Sequence, residues 1–223
     1  MIFSLLGPLL YSFKRPVYFV NRWKDVVVAS LAMMAIFVPW DIAFTAKGVW
    51  YFNHDYTIGM DVWHLPLEEW MFFLVIPFAC VFVYEVMNHM VRINIREAVL
   101  PFFYVTYGLI TFILSFVFHD QVYTLVACGL AAALSLTAAF LKPSWSGKFL
   151  RMYIVIWIPF LIVNGILTGA VTKNPVVGYN AQEIIGLRIH TIPVEDSIYN
   201  FSMLFIVVAV YEYLKSRRLK NTL

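Results

Sequence analysis

Two pairs of acidic residues stand out in this apolar chain because each pair follows a proline and the two motifs are 127 residues apart. Pro-Leu-Glu-Glu at 66–69 recurs as Pro-Val-Glu-Asp at 193–196, and the carboxyl groups belong to Glu68, Glu69, Glu195 and Asp196. Neighbouring carboxyl groups in different surroundings can separate into a proton donor and a proton acceptor. The residue types therefore fit general acid–base chemistry.

Other positions repeat with the same spacing, which indicates an internal duplication. The offset of 127 also relates Asn53 to Asn180, Gly59 to Gly186, Tyr84 to Tyr211 and Glu85 to Glu212. Further upstream the offset becomes 123, and it relates Asp41 to Asn164 and Thr45 to Thr168. A polar pattern duplicated in so apolar a chain is a candidate for function, since ionisable groups in membrane spans are costly.

The composition identifies the class of protein. Apolar residues make up 62% of the chain and charged residues 13%, and apolar runs of about 20 residues, enough to cross a bilayer, recur along it. Each span must satisfy its own backbone hydrogen bonds as a helix. The formal charge of +3 gives no reason to expect nucleic acid, because the basic residues lie in short loops. Cys80 and Cys128 lie in apolar runs and predict neither a disulfide nor a metal site.

We predict an all-α integral membrane protein with seven transmembrane helices. The N-terminal segment has no basic region and no small-residue cleavage site, so it is predicted to be a retained span. The predicted spans are 1–13, 25–46, 66–88, 97–118, 121–141, 149–171 and 192–214.

The basic residues predict the orientation. Thirteen of the 16 Lys and Arg residues, among them Arg92 and Arg96, fall on one side of the predicted membrane, leaving Lys47, Lys173 and Arg188 opposite. By the positive-inside rule the N-terminus is external and the C-terminus cytoplasmic. We expect a multi-pass protein of the cell membrane, the inner membrane in a bacterium.

The duplication predicts two units joined by one helix: 1–96 with spans 1 to 3, a linker helix at 97–120, and 121–223 with spans 5 to 7. Four helices separate equivalent spans, so the repeats have the same orientation, unlike the inverted repeats of many transporters. Such an arrangement predicts one cavity shared by the two units.

Depth along the helices predicts which polar groups meet. Proline suits a first helical turn, so the acidic pairs lie at the external ends of spans 3 and 7, level with Asp41 and Asn164. Adjacent residues differ by about 100° around a helix, so one acid of each pair should face the cavity and the other a loop. Acids in a first turn are also commonly helix caps, whereas Asp41 lies within its span. Glu85 and Glu212, at the other end, are predicted to pair with Tyr84, Tyr211 or basic residues.

Aromatic residues surround the acids in the sequence and could stabilise a carbocation by cation–π attraction. Several of them are equally compatible with membrane-interface anchoring or with plain packing, as for Phe72 and Phe73. The predicted substrate-binding residues are Asn164, Trp40, Trp50, Trp70, Phe72, Phe73 and Tyr199, beside the candidate catalytic residues Asp41, Glu68, Glu69, Glu195 and Asp196.

Several chemistries lack their motifs in this sequence. It contains no glycine-rich dinucleotide fingerprint and no Walker loop, no evident Ser-His-Asp or Cys-His arrangement, and no Asp-rich pair of the kind that binds diphosphate through Mg²⁺. Span 7 has no lysine for a retinal Schiff base. We therefore expect neither a metal nor an organic cofactor.

Two stretches of the sequence resemble a known family. The runs are WDIAFTAKGVWYFN with LPLEEWMFFLVIPFACVFVYE, and VNGILTG with GYN and IPVEDSIYNFSMLFIVVAVYE. They resemble the two halves of the lycopene cyclase domain of the heterodimeric and fungal type, fused here in one chain. The second copy departs from the first in having Asn164 in place of Asp and Asp196 in place of Glu, which indicates unequal roles.

The resemblance implies an intramolecular lyase or isomerase, a lycopene β-cyclase that closes the linear ψ-ends of lycopene to β-ionone rings by way of γ-carotene. Glu68 or Glu69 would donate the proton, Glu195 or Asp196 would act as the base, Asp41 would orient or recharge the donor, and Asn164 would be its neutral counterpart. Because the isomerisation is redox-neutral, its stoichiometry requires no electron carrier. The expected partners are lycopene, the lipid bilayer and other enzymes of carotenoid synthesis, and no nucleic acid.

Two alternatives remain open at the level of sequence. One keeps the enzyme class but forms ε or γ rings, or cyclises a C50 carotenoid. The other is a proton- or cation-coupled transporter that uses the carboxylates as a binding site; the scarcity of charges in mid-membrane and the parallel repeat argue against it.

Overall fold

The computed structural model describes residues 2–91, 95 and 98–220, and helices dominate it. Seven α-helices follow one another: α1 Ile2–Tyr11, α2 Trp23–Ala46, α3 Leu67–Met90, α4 Val99–Val117, α5 Val122–Leu141, α6 Ser146–Leu167 and α7 Val194–Lys220. Arg92, Arg96 and the predicted boundary at 96/97 lie outside the described residues.

Among the described residues, six helices, α2 to α7, are long and apolar enough to cross a membrane. The prediction of a full first span at 1–13 is corrected, because α1 has ten residues. At 1.5 Å per residue it is about 15 Å long, half of a bilayer core. The chain turns back after α1, where the Val20 N–H bonds to the Ser12 carbonyl, and leads into α2 through the short 3₁₀ helix Phe19–Arg22.

The sixth helix ends earlier than the sequence predicts. It was expected to run to residue 171 but stops at Leu167. Gly169 lies two residues further on with a φ of +99°, a conformation that glycine adopts freely and that cannot continue a right-handed helix. The Ala170 N–H bonds back to the Gly165 carbonyl, which closes the helix end.

The central helix of the bundle is α7, which packs against α2, α5 and α3. Its buried face carries large apolar side chains that are fully enclosed, namely Phe201, Met203, Leu204, Val207 and Tyr211. An extensive contact between α4 and α5 adds a second packed pair. This core fixes the relative positions of the helix ends that carry the polar residues.

Two short hairpins precede α3 and α7 at the end of the bundle that carries the acidic pairs, here called the acidic end. Strand β2 Asp61–Val62 pairs with β3 Leu65–Pro66, and β5 Arg188–Ile189 pairs with β6 Ile192–Pro193. Trp63 and His64 in the first turn both have positive φ, as a type I′ turn requires. The hairpins direct the chain into the acidic first turns of α3 and α7.

A third strand pair joins the two long loops at the acidic end. Strand β1 Trp50–Phe52 runs antiparallel to β4 Val177–Tyr179, with Trp50 opposite Tyr179. The Tyr51 ring lies so close over Gly178 that a Cβ at this glycine would collide with it. Any other residue at position 178 would require the Tyr51 ring to move away from the crossing of the two loops.

At the opposite end of the bundle, α3 and α7 exchange two equivalent hydrogen bonds. The Tyr84 hydroxyl donates to Glu212 over 2.8 Å, and the Tyr211 hydroxyl donates to Glu85 over 2.9 Å. Lys215 forms an ion pair with Glu85 at 2.5 Å. The predicted pairing of both glutamates with tyrosine or basic residues is thus present.

We expect Glu85→Ala to lower the free energy of unfolding by about 2–4 kcal/mol, because it leaves the Tyr211 hydroxyl without its acceptor and leaves Lys215 with only the more distant Glu212, at 3.6 Å. The thermal unfolding midpoint of the protein in detergent micelles measures this loss. Asp120→Ala is the control, because the Asp120 side chain is 92% exposed. Equal midpoints for the two variants would contradict a stabilising role for the Glu85 cluster.

Candidate active site

One cavity of about 90 Å³ at the acidic end collects polar groups from four helices. Asp41 comes from α2, Glu69 from α3, Asn164 from α6 and Asp196 from α7. The helices enter this level from both halves of the sequence, and the residues lie together although 155 positions separate Asp41 from Asp196. A cavity with three carboxyl groups in an otherwise apolar bundle is the foremost candidate site.

Asp196 is the most fully hydrogen-bonded of the three acids. Its Oδ1 accepts from the Tyr123 hydroxyl at 2.9 Å, and its Oδ2 accepts from the Tyr179 hydroxyl at 2.7 Å and from Asn164 Nδ2 at 3.2 Å. The side chain is 5% exposed. Hydrogen bonds donated to a carboxylate stabilise its anion, so three donors favour an ionised Asp196.

The other two acids have fewer partners. Asp41 Oδ1 accepts one hydrogen bond, from the Tyr199 hydroxyl at 2.8 Å. Glu69 lines the same cavity, and within the described part of the chain no side chain or backbone group donates a hydrogen bond to it. Within that part of the protein, no hydrogen bond therefore compensates for ionising Glu69 beside two other carboxyl groups.

The first acid of each pair binds the loop that precedes its own helix. Glu68 Oε1 accepts from the Ile58 N–H at 2.6 Å, and Glu195 Oε1 accepts from the Ile185 N–H at 2.7 Å. Glu195 also accepts from the Thr124 hydroxyl at 2.7 Å. Neither Glu68 nor Glu195 lines the cavity. A helical rotation of about 100° between neighbours accounts for this division of each pair into a cavity acid and a loop acid.

The predicted aromatic residues divide in the same way. Trp50, Phe72 and Tyr199 line the cavity. The other three contact their neighbours instead: Trp40 packs on Phe37, Phe44 and Tyr199, Trp70 contacts Trp63 and bonds to the Val62 carbonyl at 3.3 Å, and the fully buried Phe73 packs edge-on to Phe72.

Further residues lie at the site that sequence reasoning did not select. Tyr123 and Tyr179 hold Asp196, and Phe52, Phe160, Thr168 and Asn200 add to the lining. The repeat contained a signal for one of them, because Tyr179 is equivalent to Phe52 and the exchange adds a hydroxyl beside Asp196. Tyr123 lies in the first turn of α5, in an apolar run, and the repeat gives no such signal for it.

Tyr179 belongs to the loop strand β4 and contributes its hydroxyl as a hydrogen-bond donor. Burial, and then the negative charge of Asp196, raise the pKa of Tyr179 well above its ordinary value. A phenol held neutral in this way stays a donor over the physiological pH range. Its ring stacks on that of Tyr123 with centroids 6.0 Å apart, which aligns the two hydroxyls on one carboxylate.

A second cavity of about 260 Å³ adjoins the first. The two share Phe72, Phe160, Asn164 and Asn200 in their linings. The second cavity lies between α1, α3 and α6 and is bounded mostly by apolar side chains. In residues 2–91, 95 and 98–220, no group of three or more His, Cys, Asp or Glu side chains is arranged to hold a metal ion.

The helical bundle and the two cavities define the chain as a membrane protein in which a carboxyl-lined cavity adjoins a mostly apolar one. The family model described as lycopene cyclase matches residues 1–87 and 120–214. The chain therefore belongs to the lycopene cyclase family, and its general activity is the cyclisation of a carotenoid. No curated protein and no solved structure matches the chain.

The loop acids provide a test of structural against chemical roles. We expect Glu195→Ala to lower the free energy of unfolding by about 2 kcal/mol, since two buried donors lose their acceptor. Glu195→Gln keeps an acceptor oxygen and should retain most of the stability and activity. Thermal midpoints in detergent and product yield per folded protein measure the two effects. A folded Glu195→Gln protein without activity would show instead that Glu195 takes part in the chemistry.

Proposed function

We propose that this chain converts the linear ψ-ends of lycopene into β-ionone rings, using the carboxyl groups of its cavity as acid and base. The observation that carries the proposal is the unequal hydrogen bonding of three carboxyl groups that converge on one cavity. A redox-neutral isomerisation requires one group to give a proton and another to take a different proton. Unequal environments separate two carboxyl groups into these roles.

Glu69 is the proposed general acid. It receives no hydrogen bond from the described residues, and Asp41 and Asp196 line the same cavity, so like charge and the scarcity of donors favour its protonated form. Its proton would go to the terminal carbon–carbon double bond of the ψ-end. The tertiary carbocation formed there would then be attacked by the next double bond along the chain, which is separated from the first by two methylene carbons. This attack closes the six-membered ring and moves the positive charge to a tertiary carbon of the ring.

Asp196 is the proposed base. Its three donors, Tyr123, Tyr179 and Asn164, favour the ionised form, which can accept the proton that the cyclised cation loses. Loss of the proton from the ring carbon bonded to the polyene gives the β-ring double bond. After turnover Asp196 holds a proton that Glu69 lacks. Asp41, held by Tyr199, would orient Glu69 or pass that proton from Asp196 back to it, so that the site returns to its starting state.

The aromatic lining would protect and stabilise the cation. Trp50, Phe72 and Tyr199 present rings to the cavity, and the face of an aromatic ring attracts a cation. The small volume, about 90 Å³, leaves little space for water beside an end group. Exclusion of water favours proton loss over hydration of the cation.

We also propose that the two halves, 1–96 and 121–223 with the linker helix 97–120, are diverged copies of one unit in a cell membrane, with the C-terminus in the cytoplasm. Equivalent residues make equivalent contacts in support of this. Glu68 and Glu195 hold the N–H groups of Ile58 and Ile185, which are also 127 residues apart. The two halves differ at the cavity, where Asp41 has Asn164 as its counterpart.

The roles of the cavity acids predict a contrast within one pair. Glu69→Gln and Asp196→Asn should each lower product formation by about 100-fold or more, since general acid–base catalysis contributes on that scale. Glu68→Gln keeps an acceptor for the Ile58 N–H and should cause a much smaller loss. The measurement is liquid chromatography of pigments from lycopene-accumulating bacterial cells, normalised to membrane-inserted protein. Equal activity of the wild type and both cavity variants would refute the assignment.

The regiochemistry is a separate prediction. Wild-type chain in the same cells should yield β-carotene, with monocyclic γ-carotene at early times, because Asp196 is proposed to remove the proton of the ring carbon bonded to the polyene. Products with ε or γ rings would be consistent with Glu69 as the acid. They would show that a different proton is lost, and the assignment of Asp196 as the base would then be wrong. Unchanged lycopene, with the protein present in the membrane, would contradict the proposed substrate.

A further inference from the structure

A continuous apolar stripe on α3 begins one turn beyond the proposed acid. Phe72, Ile76, Ala79 and Val83 follow Glu69 at spacings of three and four residues, and all four line the second cavity. Residues at this spacing share one face of a helix. The eleven residue steps from Phe72 to Val83 correspond to about 16 Å along the helix, so the cavity is a groove that leads away from the acids.

Helix α6 forms the opposite wall and α1 closes the side. Asn164, Phe160 and Ile156 recur at intervals of four along α6, and each lines the groove. Helices α3 and α6 are antiparallel. The apolar stripe on α3 and this row of residues on α6 therefore both extend from the level of the carboxyl groups toward the opposite end of the bundle. Ser4 and Pro8 of α1 complete the lining. Helix α1, although only ten residues long, thus forms a side wall of this groove.

The two cavities differ in size and polarity in a way that matches two parts of one molecule. The acid cavity, at about 90 Å³, is smaller than the ~300–1,000 Å³ of typical ligand sites and has room for an end group only. The rest of a long substrate must leave it, and the adjoining groove shares Phe72, Phe160, Asn164 and Asn200 with it. The groove and the acid cavity are therefore adjacent, and these four side chains lie at the junction between them.

We propose that this groove binds the polyene arm of the carotenoid whose end group occupies the acid cavity; the inference rests on the proposed function. Lipid tails are as apolar as the groove, so burial of the arm gains little hydrophobic free energy over its place in the bilayer. The groove acts by shape and van der Waals packing, and its direction aligns the end group with Glu69.

The same geometry makes the enzyme act on one end of its substrate at a time. Among the described residues, none that lines the groove beyond the shared junction is acidic. Glu85 lies on α3 near the far end but is held by Tyr211 and Lys215. The second ψ-end has no acid or base beside it, so the monocyclic product must leave the groove and bind again in the reverse sense before the second ring forms.

The experiment fills the groove at three depths and measures which arm lengths are still accepted. The variants are Ile76→Phe, Ala79→Phe and Val83→Phe, and the control is Leu74→Phe, since Leu74 lies on the same helix, is 41% exposed and does not line the groove. Each purified protein is reconstituted in liposomes with lycopene or with acyclic apocarotenals that carry one ψ-end and successively shorter arms. Cyclised products are quantified by liquid chromatography.

We expect the longest accepted arm to shorten in the order Val83→Phe, Ala79→Phe, Ile76→Phe, while Leu74→Phe accepts the wild-type set. Lycopene turnover should fall by about tenfold or more in the blocked variants, since overpacking disfavours binding on that scale. The shortest substrate should still be cyclised by Val83→Phe at the wild-type rate, which shows that its acid cavity is intact.

Two results would contradict the proposal that the groove binds the polyene arm. One is the same arm-length profile in all four variants, as expected if a lipid chain, or nothing, fills the groove. The other is a uniform loss for every arm length in the three blocked variants while the wild type remains active. A wild-type protein that cyclises no substrate would instead refute the proposed function, and the assignment of the groove with it.

Discussion

Ionisable groups in an apolar bundle must find partners, and this requirement organises the whole protein. Glu195 is fully buried, and it is held by a hydroxyl and a backbone N–H. Glu85 has a lysine and a tyrosine, and Asp196 has three donors. An unpaired buried charge costs several kcal/mol, so these networks fix the helix ends. Glu69 is the exception, because no hydrogen-bond donor within the described residues reaches its carboxyl group.

In the proposed mechanism the duplication supplies the scaffold, and the divergence of the two halves separates the acid from the base. Some contacts outside the cavity occur in both halves, as in the crossed pairs of Tyr84 with Glu212 and Tyr211 with Glu85. At the cavity the equivalents differ, with Asn200 in place of Phe73 and Tyr179 in place of Phe52. A symmetric site would give its carboxyl groups equal surroundings and leave no preference for donor over acceptor.

The helices and the meeting of the acids at one level could be predicted because apolar length and proline position are properties of local sequence. The division of each acidic pair also followed from helical rotation. The roles of Trp40, Trp70 and Phe73 did not, because an aromatic residue near an acid in sequence can face any of several neighbours. Tyr123 was missed for a related reason: its contact with Asp196 depends on how α5 packs against α7. The short first helix was missed because hydropathy records where apolar residues lie and gives no indication of where the chain turns back.

The pairing of β1 with β4 has a consequence for how the two halves depend on each other. Each strand is an edge when it stands alone, with unpaired N–H and C=O groups that invite association with other chains. Here each half covers the edge of the other, and at the adjoining cavity the Tyr199 hydroxyl of the second half donates to Asp41 of the first. Assembly of the halves therefore protects the loops from aggregation and completes the hydrogen bonding of a cavity acid in a single step. A half that failed to pair with its counterpart would expose an unpaired strand edge and would lack a hydrogen bond of the cavity.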